Sequence, residues 1–263
     1  MNMEIGLSSA CFYPKVEVED SIQLMKRLGF DIGELFINTP SEFGLDFGKI
    51  LNENKQKYDF KINSIHGFSS FFEPLIFSEY KRRSKDMMEI FKKLCVLGNY
   101  VGADSYTFHG MRLMDSGSIS KKSIFEIYNE LAYIANECGI KFSQENVSWC
   151  MSSKLSFLEE LKEKVKYPLN FTLDIKQANK AGTKVEEYIK IMGNKICNFH
   201  INDYDDENVC LLPGKGKVDY ISIINQLKEI DYKGIGIIEV YGDNYKEFSE
   251  LAESKNHLNS LFY

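Results

Sequence analysis

A chain of 263 residues, 44% hydrophobic and 27% charged, can bury one large core, and the expectation is a single domain over residues 1–263. The formal net charge of −6 and the lack of any Lys/Arg block long enough for a basic arm weigh against tight nucleic-acid binding, which relies on a cationic surface. The opening MNMEIGLSSACFYP lacks a cationic segment followed by an apolar one, and no run of about 18 apolar residues occurs, so a cytoplasmic protein with no membrane span is predicted. Six cysteines, Cys11, Cys95, Cys138, Cys150, Cys197 and Cys210, are scattered without C-x-x-C spacing and read as reduced thiols.

Strand and helix patterns alternate along the chain. MEIGLS is the first strand, and 18–28 spaces Val18, Ile22, Met25 and Leu28 at helical intervals before Gly29. GELFIN is the second strand, followed by a weaker helix over 49–58; INSIH is the third strand, followed by a long amphipathic helix over 77–97 ended by Gly98. SYTFH, a helix over 123–138, KFSQE, a helix over 156–165, NFTLD, a helix over 185–192 and ICNFH continue the series. Asp219 caps a helix over 220–230, GIGIIEV is the eighth strand, and a last helix runs from Tyr245. Eight strand–helix pairs of roughly 33 residues, each the size of a parallel crossover unit, predict an α/β fold closed as a (β/α)8 TIM barrel.

Six ionisable residues each close one of the apolar runs: His66, His109, Glu145, Asp174, His200 and Glu239. Unpaired charges at the ends of buried strands cost several kcal/mol apiece, so these groups need shared partners or a metal. In a parallel barrel all such ends open into one mouth. Glu145, Asp174, His200 and Glu239 offer three carboxylates and one imidazole, a set suited to one divalent ion such as Mn, Zn, Co or Mg. Glu34 is read either as a brace of the mouth or as half of a buried ion pair. The loop LLPGKGKVD is read either as a phosphate cradle or as the lead into the helix capped by Asp219, with the cap favoured. Trp149, Phe12, Tyr13, Phe68, Phe71 and Phe72 follow strand ends and are candidates for an apolar wall.

The ordered motifs S-x-H-G (64–67), F-H-G (108–110), Q-E-N (144–146), T-L-D (172–174), H-I-N-D (200–203), G-K-G-x-V-D (214–219) and I-E (238–239) resemble those of the xylose-isomerase-like barrels. That family includes sugar isomerases and epimerases and the endonuclease IV group. The resemblance implies metal ligation by Glu145, Asp174, His200 and Glu239. It also implies that Glu145 and Glu239 act as a catalytic acid/base pair, moving a proton next to a carbonyl through a metal-stabilised enediolate. It makes His66, His109, Gln177 and Asp203 candidates for substrate binding or a second metal.

Two departures bear on substrate. Gln177 stands where the family's D-x-x-H has histidine, and Met151 stands where many sugar epimerases have a second glutamate. The leading reading is a metal-dependent isomerase or epimerase of a small carbohydrate or polyol, with homo-oligomerisation open. The competing readings are a zinc-dependent endonuclease IV-like phosphodiesterase, a dehydratase or lyase on a related polyol, and a non-catalytic sugar-binding barrel.

Overall fold

The computed structural model describes residues 3–68, 71–115, 117 and 119–262. Eight parallel strands pair in chain order: β1 (Ile5–Ser8), β2 (Ile32–Ile37), β3 (Lys61–Gly67), β4 (Ser105–Phe108), β5 (Lys141–Glu145), β6 (Asn170–Asp174), β7 (Ile196–Ile201) and β8 (Gly236–Ile238). β8 pairs with β1 and closes the predicted barrel. The crossovers hold α1 (Val18–Arg27), α2 (Leu45–Lys57), α3 (Glu73–Ile76), α4 (Lys81–Val101), α5 (Lys121–Glu137), α6 (Leu155–Lys164), α7 (Ile175–Lys180), α8 (Val185–Met192) and α9 (Tyr220–Glu229). α10 (Ser249–Phe262) follows β8.

The strands are short apolar runs because both of their faces are covered. Outward-facing rings meet the helices: Phe91 of α4 packs edge-on against Tyr106, Phe108 and Phe142, with ring centroids 5.1, 5.8 and 5.9 Å away. Burying each such ring stabilises the fold by about 1.5–3 kcal/mol relative to leaving it exposed.

Three of the expected helices have shifted boundaries: α2 starts at Leu45 rather than Lys49, and the long helix and the last helix also differ. The long helix starts at Lys81 and runs through Gly98 to Val101, where Gly102 at φ +76° ends it. Gly98 is inside because a Cβ there would stand 2.5 Å from Ile140 Cδ1 and 2.9 Å from Ile65 Cδ1, so its bare backbone lets helix and strands approach. The last helix begins at Ser249, since Tyr245 instead donates its hydroxyl to the Cys11 carbonyl.

The barrel interior below the mouth is polar. The β2–β3 register shifts between Gly33 and Glu34, a bulge of the kind that re-aims a side chain. Glu34 is fully buried among Ser8, Ser64, Thr107 and Asn198. Ser143 and Thr172 extend this layer, their hydroxyls 2.7 Å apart, and Thr172 meets Thr107 at 3.4 Å. Most barrel cores are filled with branched apolar side chains. Here a hydrogen-bonded layer forms the floor of the mouth.

Candidate active site

Glu145 and Asp174 end β5 and β6, His200 lies in β7, and Glu239 follows β8 with its backbone N–H still donated to the Ile201 carbonyl. All four side chains are buried. One ligand atom from each lies within 4.8 Å of the others. His200 Nδ1 is the hub, 3.3 Å from Glu145 Oε1, 3.4 Å from Glu239 Oε2 and 3.6 Å from Asp174 Oδ2. Asp174 divides its two oxygens. Oδ1 accepts from the Gln177 backbone N–H and so caps α7. Oδ2, like His200 Nδ1, is buried without a hydrogen-bond partner among the described residues. Buried polar atoms are rarely left so, and three carboxylates with one imidazole nitrogen suit a divalent ion. The residues present therefore fit a metal.

Glu34 lies buried against the His200 and His66 rings. Its Oε2 accepts from Ser64 Oγ at 2.7 Å, Asn198 Nδ2 at 3.0 Å and Thr107 Oγ1 at 3.1 Å, and His200 Nε2 is 3.2 Å away. Burial pushes this carboxyl up, but the His200 and His66 rings outweigh burial and hold it below the ordinary range.

His66 and His109 approach each other through their Nε2 atoms at 2.8 Å. His109 Nε2 is also 2.9 Å from Glu145 Oε2, and His66 Nδ1 is 3.5 Å from Glu239 Oε1. Burial lowers the His66 pKa, yet Glu239 and Glu34 together raise it to about 10. His66, His109 and Glu145 form a second set able to hold a metal, sharing Glu145 with the first. Both histidines thus join the cluster.

Two members were not singled out from sequence. Lys176 in α7 is buried, with Nζ 3.1 Å from Glu239 Oε2, 3.6 Å from Asp174 Oδ2 and 4.6 Å above the Tyr241 ring. Burial lowers its pKa, but Glu239 and Asp174 more than reverse that, so it stays an ammonium. The available signal was a lysine inside the otherwise apolar or amide stretch I-K-Q-A that follows a strand-end aspartate. Glu73, also buried, accepts from the backbone N–H groups of His109 and Gly110 at 2.7 and 3.2 Å and from the Tyr106 hydroxyl at 2.9 Å. It anchors the turn that presents His109.

The side-chain oxygens of Gln177 and Asp203 accept hydrogen bonds from loop groups. Gln177 Oε1 accepts from the Ser148 backbone N–H and hydroxyl at 3.0 and 2.9 Å, tying α7 to the loop after β5. Asp203 accepts from the backbone N–H groups of Tyr204, Gly214, Gly216 and Val218, at 2.9 to 3.0 Å. The glycine loop therefore directs its amides at its own aspartate rather than outward as a phosphate cradle, and Asp219 caps α9 through the Ser222 N–H. Asp203→Ala is expected to destabilise the fold by about 3 kcal/mol or more, since bonds to a charged acceptor are worth about 1.5–3 kcal/mol each. Urea denaturation should show that loss, while titration with Mn²⁺ should give unchanged affinity; a variant that keeps its stability but loses metal would return Asp203 to the site.

Of the candidate aromatic wall, Tyr13 and Phe68 join Phe36 beside His66. Phe36 is 5.2 Å from the His66 ring, 6.1 Å from Tyr13 and 5.9 Å from Phe68. Trp149 stands edge-on to His109 at 5.7 Å. Phe12 and Phe72 turn inward onto Phe248 and Phe43 instead. All six cysteines are free thiols, and among the described residues no helix is long and apolar enough to cross a membrane.

This chain is 27% identical over 135 residues to an inosose isomerase of Bacillus subtilis (strain 168), a match covering 48% of this chain and 49% of that one. Its fold is similar to a crystal structure of a D-tagatose 3-epimerase-like protein, with TM-score 0.83, 22% identity and coverage of 99% and 97% of the two chains. It is also similar to the IOLI protein with a zinc atom, with TM-score 0.78, 19% identity and coverage of 98% and 96%. The family model for the xylose isomerase-like TIM barrel matches residues 22–261, so this chain belongs to that family.

Proposed function

We propose that this protein is a divalent-metal-dependent isomerase or epimerase of a small carbohydrate or polyol, moving a proton on a carbon next to a carbonyl. The observation that carries the reading is the placement of Glu145 and Glu239. They approach His200 Nδ1 from β5 and from the end of β8, at 3.3 and 3.4 Å, three strands apart around the barrel. Two carboxylates so placed address opposite faces of a substrate held between them. One takes the proton and the other returns it. Burial pushes both carboxyls up, but His109 and His200 hold Glu145 ionised, and Lys176 and His200 hold Glu239 ionised. The carboxylate that removes the proton acts in this ionised form, and the one that delivers a proton to the other face first takes it up from solvent.

Glu145, Asp174, His200 and Glu239 would hold one Mn, Zn, Co or Mg ion, which would supply Lewis-acid polarisation of the carbonyl and its neighbouring hydroxyl. Tyr13, Phe36, Phe68 and Trp149 offer an apolar face to the C–H side of a sugar or cyclitol ring. The names of the Bacillus inosose isomerase and the epimerase-like structure, and the zinc in the IOLI protein, support the substrate class and the metal. Six free thiols support a reducing, cytoplasmic setting.

In deuterium oxide, the Mn²⁺- or Co²⁺-loaded protein should place deuterium beside the carbonyl of at least one member of a panel of ketoses and inososes, and a chelator should stop the exchange. Absence of exchange under every divalent ion would overturn the reading. The set His66, His109 and Glu145 favours a second reading, a zinc phosphodiesterase. That reading requires two or more zinc ions per chain and cleavage of DNA at abasic sites; one ion per chain and no cleavage exclude it.

A further inference from the structure

We infer that Glu34 is a positioning residue of this site: it holds the Nε2–H of His200 and so directs His200 Nδ1 to the metal. The inference rests on the metal reading above and adds how the floor of the barrel prepares the ligand. A carboxylate is an acceptor only. Both ring nitrogens face carboxylates; on the metal reading the cation takes the Nδ1 side, among Glu145, Asp174 and Glu239, so the ring proton belongs on Nε2, 3.2 Å from Glu34 Oε2. Three other donors, Ser64, Thr107 and Asn198, converge on the same oxygen, and such bonds favour the charged form.

Asn198 is the rival donor to His200, since its Nδ2 lies 3.2 Å from the same ring nitrogen. Its orientation is settled by its other end. Asn198 Oδ1 accepts from the Phe199 N–H at 3.1 Å and from Asn63 Nδ2 at 3.3 Å, which leaves Nδ2 facing Glu34 at 3.0 Å. The opposite ring nitrogen, Nδ1, faces Glu145, Asp174 and Glu239. Glu34 Oε1 also lies 3.6 Å from His66 Nδ1, so one carboxylate braces both the four-residue set and the histidine pair. A partner behind a metal-bound histidine typically changes metal affinity about 10- to 100-fold.

The test uses the full chain, labelled with ¹⁵N-histidine and loaded with Zn²⁺, each of the four histidines being assigned by single substitution. His200 should show a protonated Nε2 and an Nδ1 without a proton. In parallel, Glu34→Gln should weaken Zn²⁺ binding by about 10- to 100-fold. A proton on Nδ1 with the metal on Nε2 overturns the proposal, as does a folded Glu34→Gln variant with wild-type affinity. If that variant fails to fold, the wild-type spectrum decides alone. A wild-type chain that binds no divalent ion removes the metal reading, and this proposal with it.

Discussion

Glu145→Gln and Glu239→Gln should each slow substrate interconversion by about 10²- to 10⁴-fold, the range set by a positioned general acid or base. Glutamine is the informative replacement because it keeps an oxygen for a metal and nearly the same volume, while it cannot carry the proton at neutral pH. Metal content measured on the same samples separates lost proton transfer from lost ion. The deuterium assay then reads the chemistry directly. Interconversion that persists at the wild-type rate in both variants would refute the pairing of these carboxylates, whatever their role as ligands.

Lys176→Met should lower the stability of the metal-free protein by about 3–5 kcal/mol, the cost of removing one partner from a buried ion pair. Methionine keeps an unbranched stem of similar bulk, so packing changes little and the missing charge dominates. Lys176 Nζ is 3.1 Å from Glu239 and 3.6 Å from Asp174, and both belong to the set that fits a metal. A divalent ion would take over the same compensation. Mn²⁺ should therefore raise the denaturation midpoint of the variant more than that of the wild type, and bind it at least about tenfold tighter, since like charges near 4 Å repel by about 4 kcal/mol at an effective dielectric of 20. Denaturant titrations with and without Mn²⁺ measure both effects. An equal increment in the two proteins would show that Lys176 does not share the ion's electrostatic role.

The barrel and the cluster were legible because the signals are local. Glu145, Asp174 and His200 each close an apolar run, and in a parallel barrel that position alone sends a side chain into the mouth. Asp219 was legible as a cap for the same reason: its bond spans three residues. What remained hidden depends on convergence across the chain. Glu34 and Asn198 are 164 positions apart yet share a hydrogen bond, and nothing near either announces the other. Lys176 reads as an ordinary first-turn lysine until β8 places Glu239 beside it. Asp203 has the appearance of a mouth residue, but its use depends on a loop that returns 11 to 15 positions later. Helix ends failed where packing decided: Gly98 and Gly102 are both plausible stops, and only contact with Ile65 and Ile140 tells them apart.

The polar floor under the mouth has a consequence for how such a protein can diversify. Glu34, His66, Glu145, Asp174 and His200 are mounted on strands cross-linked by serine, threonine and asparagine side chains, with His109 and Glu239 directly after β4 and β8; of the apolar face, Phe36 lies in β2 and Phe68 directly after β3, whereas Tyr13 and Trp149 stand on connecting segments. On the proposed function, part of the apolar face can therefore change without disturbing the hydrogen-bonded floor that carries the ionisable cluster. A library that randomises 13, 68 and 149 should search new substrates while leaving proton transfer intact, whereas one that touches 64, 107 or 198 would be spent on recovering a working barrel.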